Sequence, residues 1–226
     1  RNTHNSTCVM ISFSFIILLI CFSITKAGKT PSDIPVSGMI ETATKSNTVS
    51  NSLDLSSLNW FALDDGVMGG KSSTERGEVN DQGALEFSGT INTNGGGFCS
   101  VRAQLPTKLP PNSTGIRIKY KGDGKTFKFT VSDGSHRYDT LSWQQDIPTK
   151  AEAGDLEVLE VQYSDMIPAM GPRKAPIGIH FNKDLIKEIT FMLSLQLSNG
   201  KPNPVSTFGK GVFPFSLEIH SVDFIE

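Results

Sequence analysis

The sequence has little of what hydrolytic enzymes and cysteine-based metal proteins use. It holds four histidines and three cysteines in 226 residues, and no G-x-S-x-G motif marks a nucleophile elbow. Cys8 and Cys21 lie at or before a leader-like apolar run, so the rest of the chain keeps Cys99 alone. One thiol cannot form an internal disulfide or a cysteine-rich metal site. We therefore predict no metal, no cofactor and no catalytic residues, and we expect Cys99 to be buried as a small apolar side chain.

A strong excess of one charge is also missing. The chain has 21 Lys and Arg against 23 Asp and Glu, a formal net charge of −2. Removing a leader that contains Arg1 and Lys26 leaves 19 basic and 23 acidic residues, a net charge of −4. No basic run interleaved with aromatic residues occurs. These features exclude long-range attraction to nucleic acid or to anionic lipid.

Only one long apolar run is present, over residues 11–24. It is too short to span a hydrocarbon core of about 30 Å comfortably, and Thr25 and Ala27 follow it at the two positions that a signal peptidase reads. We predict a signal peptide over residues 1–27, of which residues 1–9 resemble upstream read-through, and hence a secreted protein without a membrane segment after cleavage. An uncleaved anchor is the alternative.

Residues 28–52 are rich in Ser, Thr, Asn, Pro and Lys without a sustained period, which predicts a flexible linker. From residue 53 to 226 the pattern is that of β-strands: apolar and polar residues alternate, as at Ile116, Ile118 and Tyr120. The predicted strands are 84–91, 98–105, 115–122, 125–133, 138–147, 156–163, 188–197 and 214–226. Strands with one buried face need a second sheet, so we predict an all-β sandwich or jelly roll with at most one or two short helices.

The segment DDGVMGG, residues 64–70, raises the question of a metal loop or a phosphate loop. Two adjacent carboxylates do not provide the alternating ligands of a calcium loop, and no helix follows the glycines as phosphate binding requires. A structural interpretation remains. Asp64 and Asp65 accept hydrogen bonds from turn N–H groups, the glycines permit unusual backbone angles, and Val67 and Met68 close the end of the sandwich.

Aromatic and histidine positions give weaker signals. Trp60 and Trp143 lie within strand patterns and are predicted to be core residues, while Tyr138 and Phe208 are predicted to be exposed, where they could stack on a sugar. The histidines are scattered, with no nucleophile beside them, so we predict that the protein is not an enzyme. A glycosylation sequon begins at Asn112.

Taken in order, the motifs resemble the complex I intermediate-associated protein 30 family, over about residues 55–226. The matching residues are Trp60, Asp64, Asp65, Met68, Gly69, Gly70, Ser72, Gly97, Phe98, Arg102, Gly122, Asp123 and Gly124. The resemblance implies a galactose-binding-domain-like jelly roll without catalytic residues, in which these positions shape loops and are possible partner contacts. Known members are assembly factors that hold partly built membrane-complex subunits in mitochondria, and relatives act in chloroplast photosystem biogenesis.

Two hypotheses follow. The first is a non-catalytic protein-binding module that acts in assembly or scaffolding, an exported relative of these factors whose own partner the sequence does not identify. The second is a secreted carbohydrate-binding module that takes a glycan. The resemblance to mitochondrial factors makes mitochondria the alternative location.

Overall fold

The computed structural model of the chain describes residues 51–135, 140–151, 156–171 and 173–226. The predicted signal peptide, the predicted linker up to residue 50 and Tyr138 lie outside the described residues. The described part belongs to one compact unit, Asn47–Glu226. Within it, no helix combines the length and the apolar character that crossing a membrane requires.

Twelve β-strands dominate the described residues. They are β1 (Trp60–Ala62), β2 (Ser73–Val79), β3 (Leu85–Asn92), β4 (Phe98–Gln104), β5 (Gly115–Gly122), β6 (Thr126–Ser132), β7 (Leu141–Pro148), β8 (Glu157–Gln162), β9 (Ile167–Met170), β10 (Arg173–Lys174), β11 (Glu188–Ser194) and β12 (Val212–Ile225). One α-helix, α1, covers Val205–Phe208. Four 3-10 turns cover Leu55–Ser57, Asp65–Met68, Tyr163–Asp165 and Lys183–Leu185.

The strands form two antiparallel sheets. One has seven strands in the order β1-β4-β11-β6-β7-β9-β10, and the other has five in the order β2-β3-β12-β5-β8. The predicted all-β jelly roll is confirmed, and each of the eight predicted strands has a counterpart. The eight predicted strands do not include β1, β2, β9 and β10, although the pattern at Trp60, the first residue of β1, was interpreted as that of a strand. Three of these have at most four residues, too few to establish a period, and β2 is polar throughout most of its length.

The core lies between the sheets and is built from the predicted alternation. On β6, Phe127, Phe129 and Val131 are fully buried, and the intervening residues point to the opposite face. Phe87 of β3 packs edge-on against Phe215 of β12, with ring centroids 4.8 Å apart. Trp143 is buried in the same core, as predicted.

Two further predictions about single residues can be compared with the fold. Cys99 is fully buried, as expected, and desolvation raises the pKa of its thiol, which keeps it protonated and unreactive. The prediction that Phe208 is exposed is wrong. Its side chain is 1% exposed and packs against Phe213, because the single turn of α1 turns the ring inward.

Candidate ligand-binding cleft

A cleft of about 860 Å³ lies on the seven-stranded sheet. Its floor is formed by the residues of β4, β6, β7 and β11 that alternate with the core residues. Two loops border it: the DDGVMGG loop, which we define as residues 64–70, and the NGGG loop, residues 94–97, which leads into β4. This volume is in the range of small-ligand sites in proteins.

Strand register places short polar side chains side by side across the floor. Thr190 on β11 pairs with Arg102 on β4 and with Thr130 on β6, and Thr130 pairs in turn with Gln144 on β7. The next row contains Ser132 and Ser142. Residues in register across neighbouring strands have adjacent side chains on the same face, so the floor presents a grid of hydroxyl and amide groups.

Sequence reasoning missed this floor. Alternation predicts that one face of each strand is buried, yet Thr190, Ser132 and Ser142 are also buried, on the face opposite the core. The available signal was the kind of polar residue: several outward positions of these strands carry Ser, Thr or Gln, where a fully solvated face more often carries charged residues.

Arg102 and Glu188 form the charged pair of the floor. Arg102 Nη1 lies 3.8 Å from Glu188 Oε1, and Arg102 Nε donates a hydrogen bond of 3.2 Å to Ser100 Oγ. The other carboxylate oxygen of Glu188 accepts from Gln104 Nε2 at 2.8 Å. Burial lowers the pKa of the Arg102 guanidinium, and the charge of Glu188 acts in the opposite direction. The group stays protonated at neutral pH because its ordinary pKa is so high.

A second cation, Lys128, lies on the floor opposite Met192 of β11 and Asp146 of β7. The residue is only 9% exposed. Burial lowers the pKa of its ammonium group, and the negative charge of Asp146 partly opposes this. Asp146 itself accepts hydrogen bonds from the backbone N–H and the hydroxyl of Ser198, at 2.8 Å and 2.7 Å.

The rim of the cleft is apolar. Val67 and Met68 are 67% and 68% exposed, and Leu195, which packs against Gly97 of the NGGG loop, is also exposed. The prediction that Val67 and Met68 close the end of the sandwich is therefore wrong. The 3-10 turn over Asp65–Met68 instead directs both side chains outward.

Asp65 joins the two border loops. Its carboxylate is fully buried and accepts four hydrogen bonds: from Ser72 N at 2.9 Å, Ser72 Oγ at 2.6 Å, Gly97 N at 2.5 Å and Phe98 N at 3.2 Å. Burial raises the pKa of Asp65, but these hydrogen bonds together lower it by more than burial raises it. The pKa of Asp65 is therefore below its ordinary value. The neighbouring Asp64 accepts from Thr74 N at 2.7 Å and Thr74 Oγ1 at 2.6 Å. Asp65 thus accepts the expected hydrogen bonds from loop N–H groups, whereas the donor to Asp64, Thr74, lies on β2.

The glycines of both loops make room for that carboxylate. A Cβ added at Gly70 or at Gly96 would lie closer than 3.0 Å to side-chain atoms of Asp65. Gly69 ends the 3-10 turn with a φ of 85°, a conformation that favours glycine. The motif residues Asp65, Gly69, Gly70, Ser72 and Gly97 thus fix the loops that carry the rim.

Of the other motif residues, some line the cleft and some do not. Met68, Gly97, Phe98 and Arg102 line the cleft. Trp60 does not: its indole packs against Phe191, with ring centroids 6.2 Å apart, and its Nε1 donates to Leu55 O at 2.9 Å.

The Gly122-Asp123-Gly124 segment also lies apart from the residues that line the cleft, in the turn between β5 and β6. Asp123 accepts a hydrogen bond of 3.0 Å from Ser216 N and forms an ion pair of 2.8 Å with Lys125. Thr149 packs over Gly122, where a Cβ would collide with its side chain. This segment anchors a turn in the described fold.

The described residues contain no group of three or more His, Cys, Asp and Glu side chains placed to hold a metal ion. Among the described residues, the ionisable ones that line the cleft are Arg102, Lys128 and Glu188. The histidines of the described part are not among the lining residues.

The fold and cleft define a jelly-roll module, and solved structures support this class. A family 11 carbohydrate-binding module of a cellulosomal cellulase, Lic26A-Cel5E of Clostridium thermocellum, matches with 19% sequence identity and a TM-score of 0.51, covering 77% of this chain and 92% of that one. The Clostridium thermocellum module in complex with a β-1,3-1,4-mixed-linked tetrasaccharide gives 20% identity, a TM-score of 0.51, and coverage of 77% and 94%. At these identities the likeness establishes the fold.

The chain belongs to the complex I intermediate-associated protein 30 (CIA30) family, whose model matches residues 33–219. No curated protein matches the chain. Family membership confirms the resemblance carried by the motif residues, and the galactose-binding-like jelly roll agrees with it.

Proposed function

We propose that the protein is a non-catalytic protein-binding module that holds a segment of a partner protein in the cleft, in an assembly or scaffolding role. The observation that carries the proposal is the pairing of an exposed apolar rim, Val67 and Met68, with a polar floor. A rim of this kind gains free energy when a partner covers it, and the hydroxyl and amide groups below it can bond a peptide backbone. Membership of a family described as complex I intermediate-associated supports the same class of function.

The composition of the cleft supports binding without catalysis. Among the described residues, its ionisable lining consists of Arg102, Lys128 and Glu188, with no His, Cys or Asp that could serve as a base or nucleophile. Glu188 already accepts a hydrogen bond of 2.8 Å from Gln104 and lies 3.8 Å from Arg102. Both oxygens of the Glu188 carboxylate are thus engaged by side chains of the protein itself.

The rim is expected to contribute directly to partner affinity. The partner is first recovered with the tagged chain from its native cell, identified, and produced separately. Val67→Ser should then weaken its binding about tenfold, because the partner no longer buries an isopropyl group against the rim. The matched control is Val158→Ser: Val158 is also an exposed valine, 54% exposed, but lies on β8 of the other sheet. Equal affinities of wild type and Val67→Ser would contradict the proposal, as would repeated recovery of no stoichiometric partner.

Carbohydrate binding is the second candidate. The fold resembles that of carbohydrate-binding modules, one of them solved with a tetrasaccharide, and the floor offers hydroxyl and amide groups. Against it, Phe98 is the one aromatic residue of the described chain that lines the cleft, and sugar recognition generally uses aromatic stacking. Binding of the recombinant chain to defined members of a glycan array, lost in Phe98→Ala, would establish this function. Silence across the array would remove it.

We also propose that the protein is exported, as its apolar N-terminal run predicts. Asn112 is exposed in the turn before β5, where a glycosyltransferase could reach it, whereas the hydroxyl of Ser113 is turned inward to Pro110 O at 2.7 Å. We expect the native protein to start at Gly28 and to lose mass on treatment with an endoglycosidase. The variant Asn112→Gln should show no such loss. An intact leader would instead favour the uncleaved anchor, and an unmodified Asn112 in a protein found in mitochondria would favour the mitochondrial location.

A further inference from the structure

Lys128 is an unusual residue for the floor of a cleft. It is 9% exposed, yet among the residues that the structure describes no oxygen accepts a hydrogen bond from its Nζ and no carboxylate forms an ion pair with it. An ammonium group with three donors normally stays in water or is paired when it is buried. The charge of Asp146 offsets only part of the cost of removing Lys128 from water.

The neighbouring charges compensate Lys128 only in part. Arg102 and Glu188 form a pair of opposite charges on β4 and β11, so their fields largely cancel. Asp146 pairs with Lys128 in the β6–β7 register, but its carboxylate is held by Ser198 at 2.7 Å and 2.8 Å. Among the described residues that line the cleft, the charged group without an ion-pair partner on the lining is thus Lys128, placed between Met192 and the β7 strand.

We propose that Lys128 binds a carboxylate of the partner protein, so that the cleft selects segments with an Asp or Glu at one position. The proposal rests on the proposed protein-binding function and gives it a sequence preference. A carboxylate that reaches Nζ forms a charge-assisted hydrogen bond and replaces the water that Lys128 lost on folding. In this partly buried setting the pair is stronger than a surface ion pair.

The other side chains of the cleft favour an acidic peptide over an acidic sugar. Besides Lys128, the ligand meets the aliphatic and thioether groups of Val67, Met68, Met192 and Leu195. Such groups pack against apolar peptide side chains, and methionine in particular adapts to different shapes. A uronic acid has the required charge, but its ring would find few aromatic surfaces on the described lining.

The test is a selection of random dodecapeptides displayed on phage, made against the full chain and against Lys128→Met. We expect peptides from the wild type to be enriched in Asp or Glu at one position relative to an apolar residue. Synthetic copies of these peptides should bind Lys128→Met at least about tenfold more weakly, the loss expected for a charge-assisted hydrogen bond. Replacing the acidic residue of the peptide by Gln or Asn should cost about as much, and the two changes together little more than either alone.

The variants separate a lost charge from a damaged fold. Lys128→Met approximates the length of the side chain and removes a charge whose desolvation Asp146 offsets only in part, so its thermal midpoint should be close to or above that of the wild type. Lys128→Arg should retain the acidic preference. The matched control is Lys119→Met, an exposed lysine on β5 of the other sheet, which should bind the peptides as the wild type does.

The possible failures are distinguishable. Peptides that bind the wild type without acidic enrichment, and bind Lys128→Met equally well, would overturn the assignment of Lys128 while leaving the protein-binding function in place. If no peptide is selected whose binding depends on Val67, both proposals fail. Binding of oligogalacturonate, lost in Lys128→Met, with no peptide selected would overturn the acidic peptide and assign the cation to an acidic glycan.

Discussion

Replacing Asp65 with alanine is expected to lower the free energy of unfolding by about 3–5 kcal/mol. The carboxylate is fully buried and accepts four hydrogen bonds, from Ser72 N, Ser72 Oγ, Gly97 N and Phe98 N. Alanine leaves these donors without an acceptor, and an unsatisfied buried donor costs about 1–3 kcal/mol. Because Asp65 links the DDGVMGG loop to the NGGG loop through these hydrogen bonds, we expect the two loops to move apart in the variant.

Urea denaturation followed by tryptophan fluorescence gives the change in unfolding free energy. Asp81→Ala is the matched control, because Asp81 is an exposed aspartate in the β2–β3 turn, and it should change stability by less than about 0.5 kcal/mol. Asp65→Asn should fall between the two, since an amide keeps one acceptor oxygen but presents its NH2 group to other donors. A value for Asp65→Ala as small as that of the control would show that the carboxylate does not hold the loops together.

The pH dependence of Asp65 follows from its lowered pKa. Burial raises the pKa, but hydrogen bonds from Ser72, Gly97 and Phe98 outweigh burial and bring it below the ordinary value of 3.8. A group whose pKa is lower in the folded state stabilises the fold above its unfolded pKa and loses that contribution as the pH falls through its folded pKa. The wild type should therefore be more stable than Asp65→Asn by a constant difference in unfolding free energy near neutral pH. This difference should become smaller as the pH falls below about 3.8.

Gly70→Ala is the second change with a large expected effect, a loss of about 3 kcal/mol or more of unfolding free energy. The new Cβ would lie closer than 3.0 Å to Cβ, Cγ and Oδ1 of Asp65. The carboxylate cannot move away without breaking the hydrogen bonds that hold it. The variant should also weaken partner binding, because the loop that carries Val67 and Met68 shifts.

Gly66→Ala is the control within the same loop. No atom lies within 4 Å of a Cβ built at Gly66, and its φ is not in the left-handed region. Both variants reduce the freedom of the unfolded chain equally, so the difference between them isolates the collision with Asp65. Gly66→Ala should leave stability unchanged or raise it by about 0.5–1 kcal/mol. Similar denaturation midpoints for the two variants would refute the close approach of Gly70 to the carboxylate.

Much of the fold could be predicted because its signal is local. On β5, the alternation of Ile116, Ile118 and Tyr120 marks the buried face, and all three are core residues. The short strands β1, β9 and β10 were not among the predicted strands because three, four and two residues carry no period. Phe208 was wrongly expected to be exposed, since a single helical turn decides where its ring points.

The candidate site was predictable in part. The acceptor role of Asp64 and Asp65 followed from the chemistry of carboxylates beside glycines, and both carboxylates accept hydrogen bonds from backbone N–H groups. The floor was not predicted. Lys128 and Glu188 alternate with core residues, and the sequence does not show that loops from other parts of the chain border the face on which they lie.

The sequence by itself determined which residues face the core of two sheets and which loops need glycine and carboxylate, because strand alternation and turn chemistry act over a few neighbouring residues. Only the tertiary structure decided that the polar face of one sheet is also enclosed. That enclosure depends on strand order, which brings β4, β11, β6 and β7 together from residues 98 to 194. The burial of Lys128 results from this long-range pairing and not from its own sequence context.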